Sequence, residues 1–262
     1  WRRNWDIALF LGGFGPALVL GLALGNVILG VPYHFTPDME VVYTGAFYEL
    51  FTPFPLLCGV LCVLVCARQG AAYLCIKTQG DVQQRASFYL GITNLSIIVL
   101  FSVLSFWALK YMDGFEVTSP LTPNGPSNPL YKTVTQSPGW MAFKAYPLLY
   151  AVPGLVLIFS LVTQFFKSLD CSGLSFISSS LSTAMLLATF GVSLFPFLLP
   201  SSTHLGHSLT VFDASSSHLT LFIMLLVTVL FLPIVLTYIS WAYRVMRGPV
   251  NQEEVNQREG AY

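Results

Sequence analysis

The chain is 262 residues long, with twelve basic and twelve acidic side chains, no net charge, and only 9% charged residues, against roughly 25% in soluble domains. At 55% apolar content and a mean hydropathy of +0.69, too few charges remain to wet a globular surface, which argues against a soluble enzyme of one or two domains. The neutral balance argues equally against a nucleic-acid partner, and five cysteines without paired spacing give neither a disulfide framework nor a CxxC zinc signature.

A bilayer crossing takes about 20 apolar residues, and runs of that length fall at 5–31, 53–76, 87–112, 147–166, 174–199 and 219–246. The chain opens on Trp1 with no signal-peptide cleavage pattern nearby, so the start reads as an internal point of a longer polypeptide. Asp6 lies just inside the first run, where capping a helix start is the simple reading. Ala17, Gly21 and Gly25 follow at four-residue spacing, a run of small residues that lets another helix approach closely. In the second run Cys58, Cys62 and Cys66 stand at i, i+4 and i+8 on one helix face. Three thiolates in hydrocarbon would be costly, so packing is the expected role.

Arg68, followed by Gln69, is the one clear ionisable residue deep in a span, which makes it a functional candidate by default. It lies roughly 15 residues, or about 22 Å, along its helix. Two readings stand open: the side chain snorkels to the headgroups, or it finds a buried partner. A short polar turn at 79–85 leads to the third run, and the loop 113–146, with Pro120, Pro123, Pro126, Pro129 and Pro138, reads as irregular backbone held by turns on the outside. A second short turn spans 167–173. Pro16, Pro153, Pro196 and Pro233 lie in or near apolar runs, where kinks are the default and a substrate-binding broken helix the rarer alternative.

The stretch 200–220, PSSTHLGHSLTVFDASSSHLT, sets hydroxyls, one acid and three histidines between two apolar runs. Asp213 and Ser215 are placed to cap the last helix, with ligand or subunit contact as the alternative role for this stretch, Asp213 and His218 included. All four histidines, His34, His204, His207 and His218, fall in outward loops rather than inside a span, so no axial haem ligand is offered there. No catalytic residue and no metal site is expected in this chain. No hydrolase, P-loop, zinc-protease or dinucleotide fingerprint is present.

The expected fold is all-α: a polytopic membrane bundle of about six transmembrane helices forming one integral-membrane domain over 1–262, ending in a cytoplasmic tail at 247–262. Nine of the twelve basic residues lie on the side of the two termini and the short turns, or eight without Arg68, which sits inside a span, against Lys110, Lys132 and Lys144 on the other. The positive-inside rule then puts both termini in the cytoplasm.

Several ordered segments carry a resemblance: WRRNWD at the start, GNVILGVPYHF after the first span, YTGAFYELFTPFPLL into the second, SNPLYKTV in the long loop, and FPFLLPSS with SLTVFDASSSHLTLFIM near the end. Together they resemble subunit II of the cytochrome bd family of bacterial quinol oxidases. Phe212 stands where the family often has Trp. A complete family subunit has nine spans, the first three preceding the point where this chain begins, and the family's proton-entry carboxylates belong to that part. The resemblance implies a multi-pass protein of the bacterial inner membrane, embedded in lipid and paired with a subunit I that holds the haems. That partner oxidises quinol and reduces dioxygen to water. In the family the second subunit is a structural partner that can hold a structural quinone, with no covalently bound cofactor. The competing readings are a secondary transporter lined by Arg68 and the kinked helices, and a membrane scaffold without redox role.

Overall fold

The computed structural model describes residues 1–119 and 128–245. The tail 247–262 and the prolines Pro120, Pro123 and Pro126 lie outside the described residues.

Six helices among the described residues are long and apolar enough to cross a membrane, in the order the hydropathy pattern sets. They are α1 (Arg2–Leu29), α2 (Pro53–Lys77), α3 (Asp81–Tyr111), α5 (Ala151–Ser168, entered through a 3-10 turn at Pro147–Tyr150), α6 (Ser172–Leu194) and α7 (His218–Val245). A short α4 (Met141–Ala145) precedes α5. Two of the turns are tighter than the polar composition suggested: α3 begins at Asp81, so the expected turn at 79–85 shrinks to three residues, 78–80.

The α2–α3 and α5–α6 hairpins pack side by side, α2 against α6 and α3 against α5. Their core holds Phe54, Leu61, Val65, Ile97, Phe101 and Val156. On α1, Gly21 and Gly25 are buried against α2: a Cβ on Gly21 would stand 2.5 Å from the Cys58 carbonyl oxygen, and one on Gly25 2.6 Å from Pro55 Cα. Ala17, one turn earlier, is half-buried. The small-residue run is thus the α1–α2 contact line, where missing side chains let two backbones touch. Cys58 and Cys62 are partly buried along it, while Cys66 is exposed. None of the buried side chains comes from α7.

The loops opposite the short turns build a cap from three antiparallel hairpins. These are β1 (Tyr33–Phe35) with β2 (Val41–Tyr43), β3 (Asp113–Val117) with β4 (Val134–Pro138), and β5 (Phe197–Leu199) with β6 (Leu209–Thr210). The expectation of irregular backbone at 113–146 is corrected here. Phe115, Val117 and Val134 alternate inward as strand residues and bury against Phe197 and Leu205, and that alternation is what a half-buried strand requires. Gly30, at φ 87°, turns the chain from α1 into the cap where a Cβ would meet Phe115 Cζ at 2.8 Å; both the left-handed backbone and the space select glycine.

Candidate functional site

The polar centre of the bundle forms around Arg68. Four helices converge on its guanidinium, which is completely buried. Nη1 donates to Asn94 Oδ1 on α3, Ser160 Oγ on α5 and Ser182 Oγ on α6, each at 3.2 Å. Nη2 donates to the Ser179 carbonyl at 3.1 Å and to Thr183 Oγ1 at 2.9 Å. Nε has no acceptor among the described residues, and no carboxylate pairs with the charge there. A full positive charge is therefore dispersed over neutral oxygens, which is tolerable in hydrocarbon because each is preplaced by its helix.

The cluster extends on both sides. Asn94 Nδ2 donates to the Ser160 carbonyl at 2.9 Å and to Gln164 Oε1 at 3.3 Å, and Thr163 and Ser178 share a hydroxyl bond of 2.9 Å. Gln69 joins Ser179 and Ser180. Of the two readings of Arg68, the geometry follows the buried partner: the side chain turns into the bundle, not toward headgroups. Sequence reasoning missed its partners. The signal was present, since Ser175, Ser178, Ser179 and Ser182 recur at three- and four-residue spacing on α6, the period of one helix face, and all four are buried.

The second polar group lies in the cap. Tyr33 Oη donates to the Leu199 carbonyl at 2.8 Å, and burial pushes its phenol up to about 12. Ser201 Oγ donates to the Tyr33 carbonyl. His34 and His204 lie with ring centroids 5.0 Å apart and planes tilted by 39°, and His204 and His207 5.2 Å apart, tilted by 38°. His207 Nδ1 accepts the Phe35 N–H at 2.8 Å, a bond only a neutral imidazole can make. Desolvation, then the neighbouring His204, His34 and Lys132, hold its pKa below the usual imidazole value.

Asp213 is placed differently from the sequence expectation. It ties the cap together: one carboxylate oxygen meets Lys132 Nζ at 2.5 Å and the other accepts the Thr210 N–H at 2.8 Å. It does not cap α7, because that helix starts at His218 and the N-cap position falls to Ser217, whose Oγ accepts the Thr220 N–H. Asp213 and Ser215 sit too far upstream to reach the free amides. His218 is the exposed first residue of α7.

Between α1, α2, α3 and α6 lies a cavity of about 200 Å³, lined by Leu24, Phe54, Leu61, Phe101 and Leu186, with the Arg68-bonded Thr183 among its few polar residues. Among the described residues no group of three His, Cys, Asp or Glu side chains could hold a metal ion. The imidazoles stand at the cap end rather than among the packed helices, so these residues do not fit haem ligation within the bundle.

Three comparisons bear on this arrangement. The sequence profile described as cytochrome bd terminal oxidase subunit II matches residues 1–246. The chain is 38% identical over 259 residues to the cytochrome bd-I ubiquinol oxidase subunit 2 of Escherichia coli K12, covering 98% of this chain and 68% of that protein. It is also 38% identical over 261 residues to the probable cytochrome oxidase subunit 2 of Haemophilus influenzae, covering 99% and 69% respectively. Among solved structures, a chain of the bd oxidase from Geobacillus thermodenitrificans aligns at a TM-score of 0.47 and 10% identity, over 88% of this chain and 66% of that one. With its profile match and these relatives, this multi-pass membrane chain belongs to the cytochrome bd terminal oxidase subunit II family.

Proposed function

We propose that the chain acts as the haem-free second subunit of a quinol:oxygen oxidoreductase in the bacterial inner membrane, beside a subunit I that carries the haems, oxidises quinol and reduces dioxygen to water. The observation that carries this reading is the family match along nearly the whole chain. The bundle supports the division of labour. Among the described residues its buried charged group is an arginine held by neutral oxygens, which can neither ligate iron nor readily exchange a proton. The helix α7, apolar and without a buried residue, leaves a whole surface to lipid and to a neighbouring subunit. A structural quinone is proposed for the apolar cavity: the lining suits a prenyl tail, and the group would supply bulk and a pair of carbonyl acceptors. The basic-residue asymmetry supports both termini facing the cytoplasm.

Co-expression with a tagged subunit I tests the assignment. The chain should be recovered with it in equal amount, and quinol oxidation by membranes should need both. Recovery of a fully active oxidase without this chain would refute the supporting role. A fluorescent reporter fused after Tyr262 should be bright in the cytoplasm, and a periplasm-active reporter at the same place silent.

A further inference from the structure

A second cavity, of about 400 Å³, opens where the two short turns meet, between the ends of α2 and α3 and those of α5 and α6. It is unlike the apolar one. Its walls are Gln83, Gln84, Ser87, Lys167, Asp170 and Ser172, with Cys75, Leu90 and Ser175 also lining it. Lys167 is drawn inward over Gly91: a Cβ there would stand 3.1 Å from its Nζ. Asp170 follows at the end of α5 in a left-handed conformation, φ 53°. Neither forms an ion pair among the described residues, so one cation and one anion face a shared space without neutralising each other.

The depth of this cavity is set by helix length. The 31 residues of α3 extend about 46 Å at 1.5 Å per residue, against a hydrocarbon core of about 30 Å, so its first turns, with Gln83 and Gln84, project to headgroup level. Exposed apolar side chains continue toward the bilayer from the same helices: Phe88 and Ile92 on α3, Phe165 on α5, Ile177 on α6.

We infer that this cavity binds the headgroup of a phosphatidylethanolamine-class lipid, with the phosphate at Lys167 and the serine hydroxyls and the primary ammonium at Asp170. The separated charges match a zwitterion that can both accept and donate hydrogen bonds. An anionic lipid leaves Asp170 opposed to like charge, and a quaternary ammonium cannot donate to it. The neighbouring apolar side chains take the acyl chains, which a soluble headgroup lacks.

The test uses the intact complex in lipid-depleted detergent micelles, with backbone deuterium uptake read over residues 78–87 and 167–175. Dioleoyl-phosphatidylethanolamine should protect these segments at about tenfold lower concentration than the phosphatidylcholine or phosphatidylglycerol of the same chains, the factor expected for one charge-assisted hydrogen bond. Soluble phosphoethanolamine should not protect at these concentrations. Lys167→Gln should abolish the protection, and Asp170→Asn should bring phosphatidylglycerol level with phosphatidylethanolamine. Equal protection by the three lipids, preference for the anionic one, equal protection by soluble phosphoethanolamine, or full protection in Lys167→Gln each overturns the inference. Should a variant fail to assemble, the ranking of ligands on the unaltered complex decides alone.

Discussion

Replacing Asn94 should damage the bundle more than replacing Arg68, although Arg68 makes more hydrogen bonds. Arg68→Met keeps most of the side-chain length and removes the charge. Of the five acceptors released, the Ser160 and Ser182 hydroxyls still bond one another at 2.8 Å, and the Ser179 carbonyl still accepts from Thr183 Oγ1 at 3.0 Å. Thr183 Oγ1 loses its donor too but keeps that bond of its own, so Asn94 Oδ1 alone is left without a hydrogen bond, an orphaned acceptor costing about 1–3 kcal/mol, partly offset because a buried ion no longer has to be desolvated. Asn94→Leu instead leaves the guanidinium in place with one acceptor fewer and Nε already unpartnered, the situation of an incompletely compensated buried charge, worth about 3–5 kcal/mol. The double variant should be more stable than Asn94→Leu alone. Equilibrium unfolding in mixed micelles, followed by helical signal and by retention of the complex, gives all four corners of the cycle. If Arg68→Met is the more damaging single change, or the two effects simply add, the description of Arg68 as a charge held by its neighbours is wrong.

Other consequences follow from the contacts. Gly21→Ala should separate α1 from α2 and cost about 1–3 kcal/mol, because the new Cβ meets backbone; Gly12→Ala, with nothing within 4 Å, should be neutral or stabilising in the same unfolding assay, and equal losses would sink the contact-line reading. Asp213→Asn keeps an acceptor for Thr210 but strips Lys132 of its counter-charge at a site where both side chains are nearly buried, so about 3–5 kcal/mol of cap stability should go. The loss should be read as faster amide exchange at 129–138 and 205–214, with the start of α7 unchanged; fraying of α7 would restore the capping role to Asp213. Because folding lowers the His207 pKa from 6.5, the unfolded cap takes up a proton first as pH falls, so cap stability should decline from about pH 6.5 downward and be fully present above it. Exchange in the 31–36 segment should quicken accordingly and His207→Gln should flatten that slope; a cap that tightens on acidification would contradict the sign.

The spans were legible because about 20 apolar residues in a row admit few structures in lipid, and the glycine run on α1 was legible because absent side chains have one obvious use between helices. The cap strands were not, since Asp113–Val117 and Val134–Pro138 are short and lie across a proline-rich interval whose punctuation suggested turns alone. Asp213 pointed to a cap by residue type and proximity to an apolar run; its actual partner, Lys132, lies 81 positions away, a pairing that local spacing does not encode. Arg68 stood out as a charge, but its acceptors are serines and an asparagine, which small-residue packing in membranes equally explains. Only the convergence of four helices distinguishes the two.

The most direct test of the central claim, a haem-free second subunit serving a pigmented partner, is the reduced-minus-oxidised visible spectrum of this chain purified alone and with subunit I. The expected result is a spectrum without haem bands for the chain alone and full bands for the pair, unchanged when His34, His204, His207 and His218 are all replaced by glutamine in a complex that still assembles. Haem bands retained by the isolated chain, or lost from the assembled pair on removal of these imidazoles, would contradict the account.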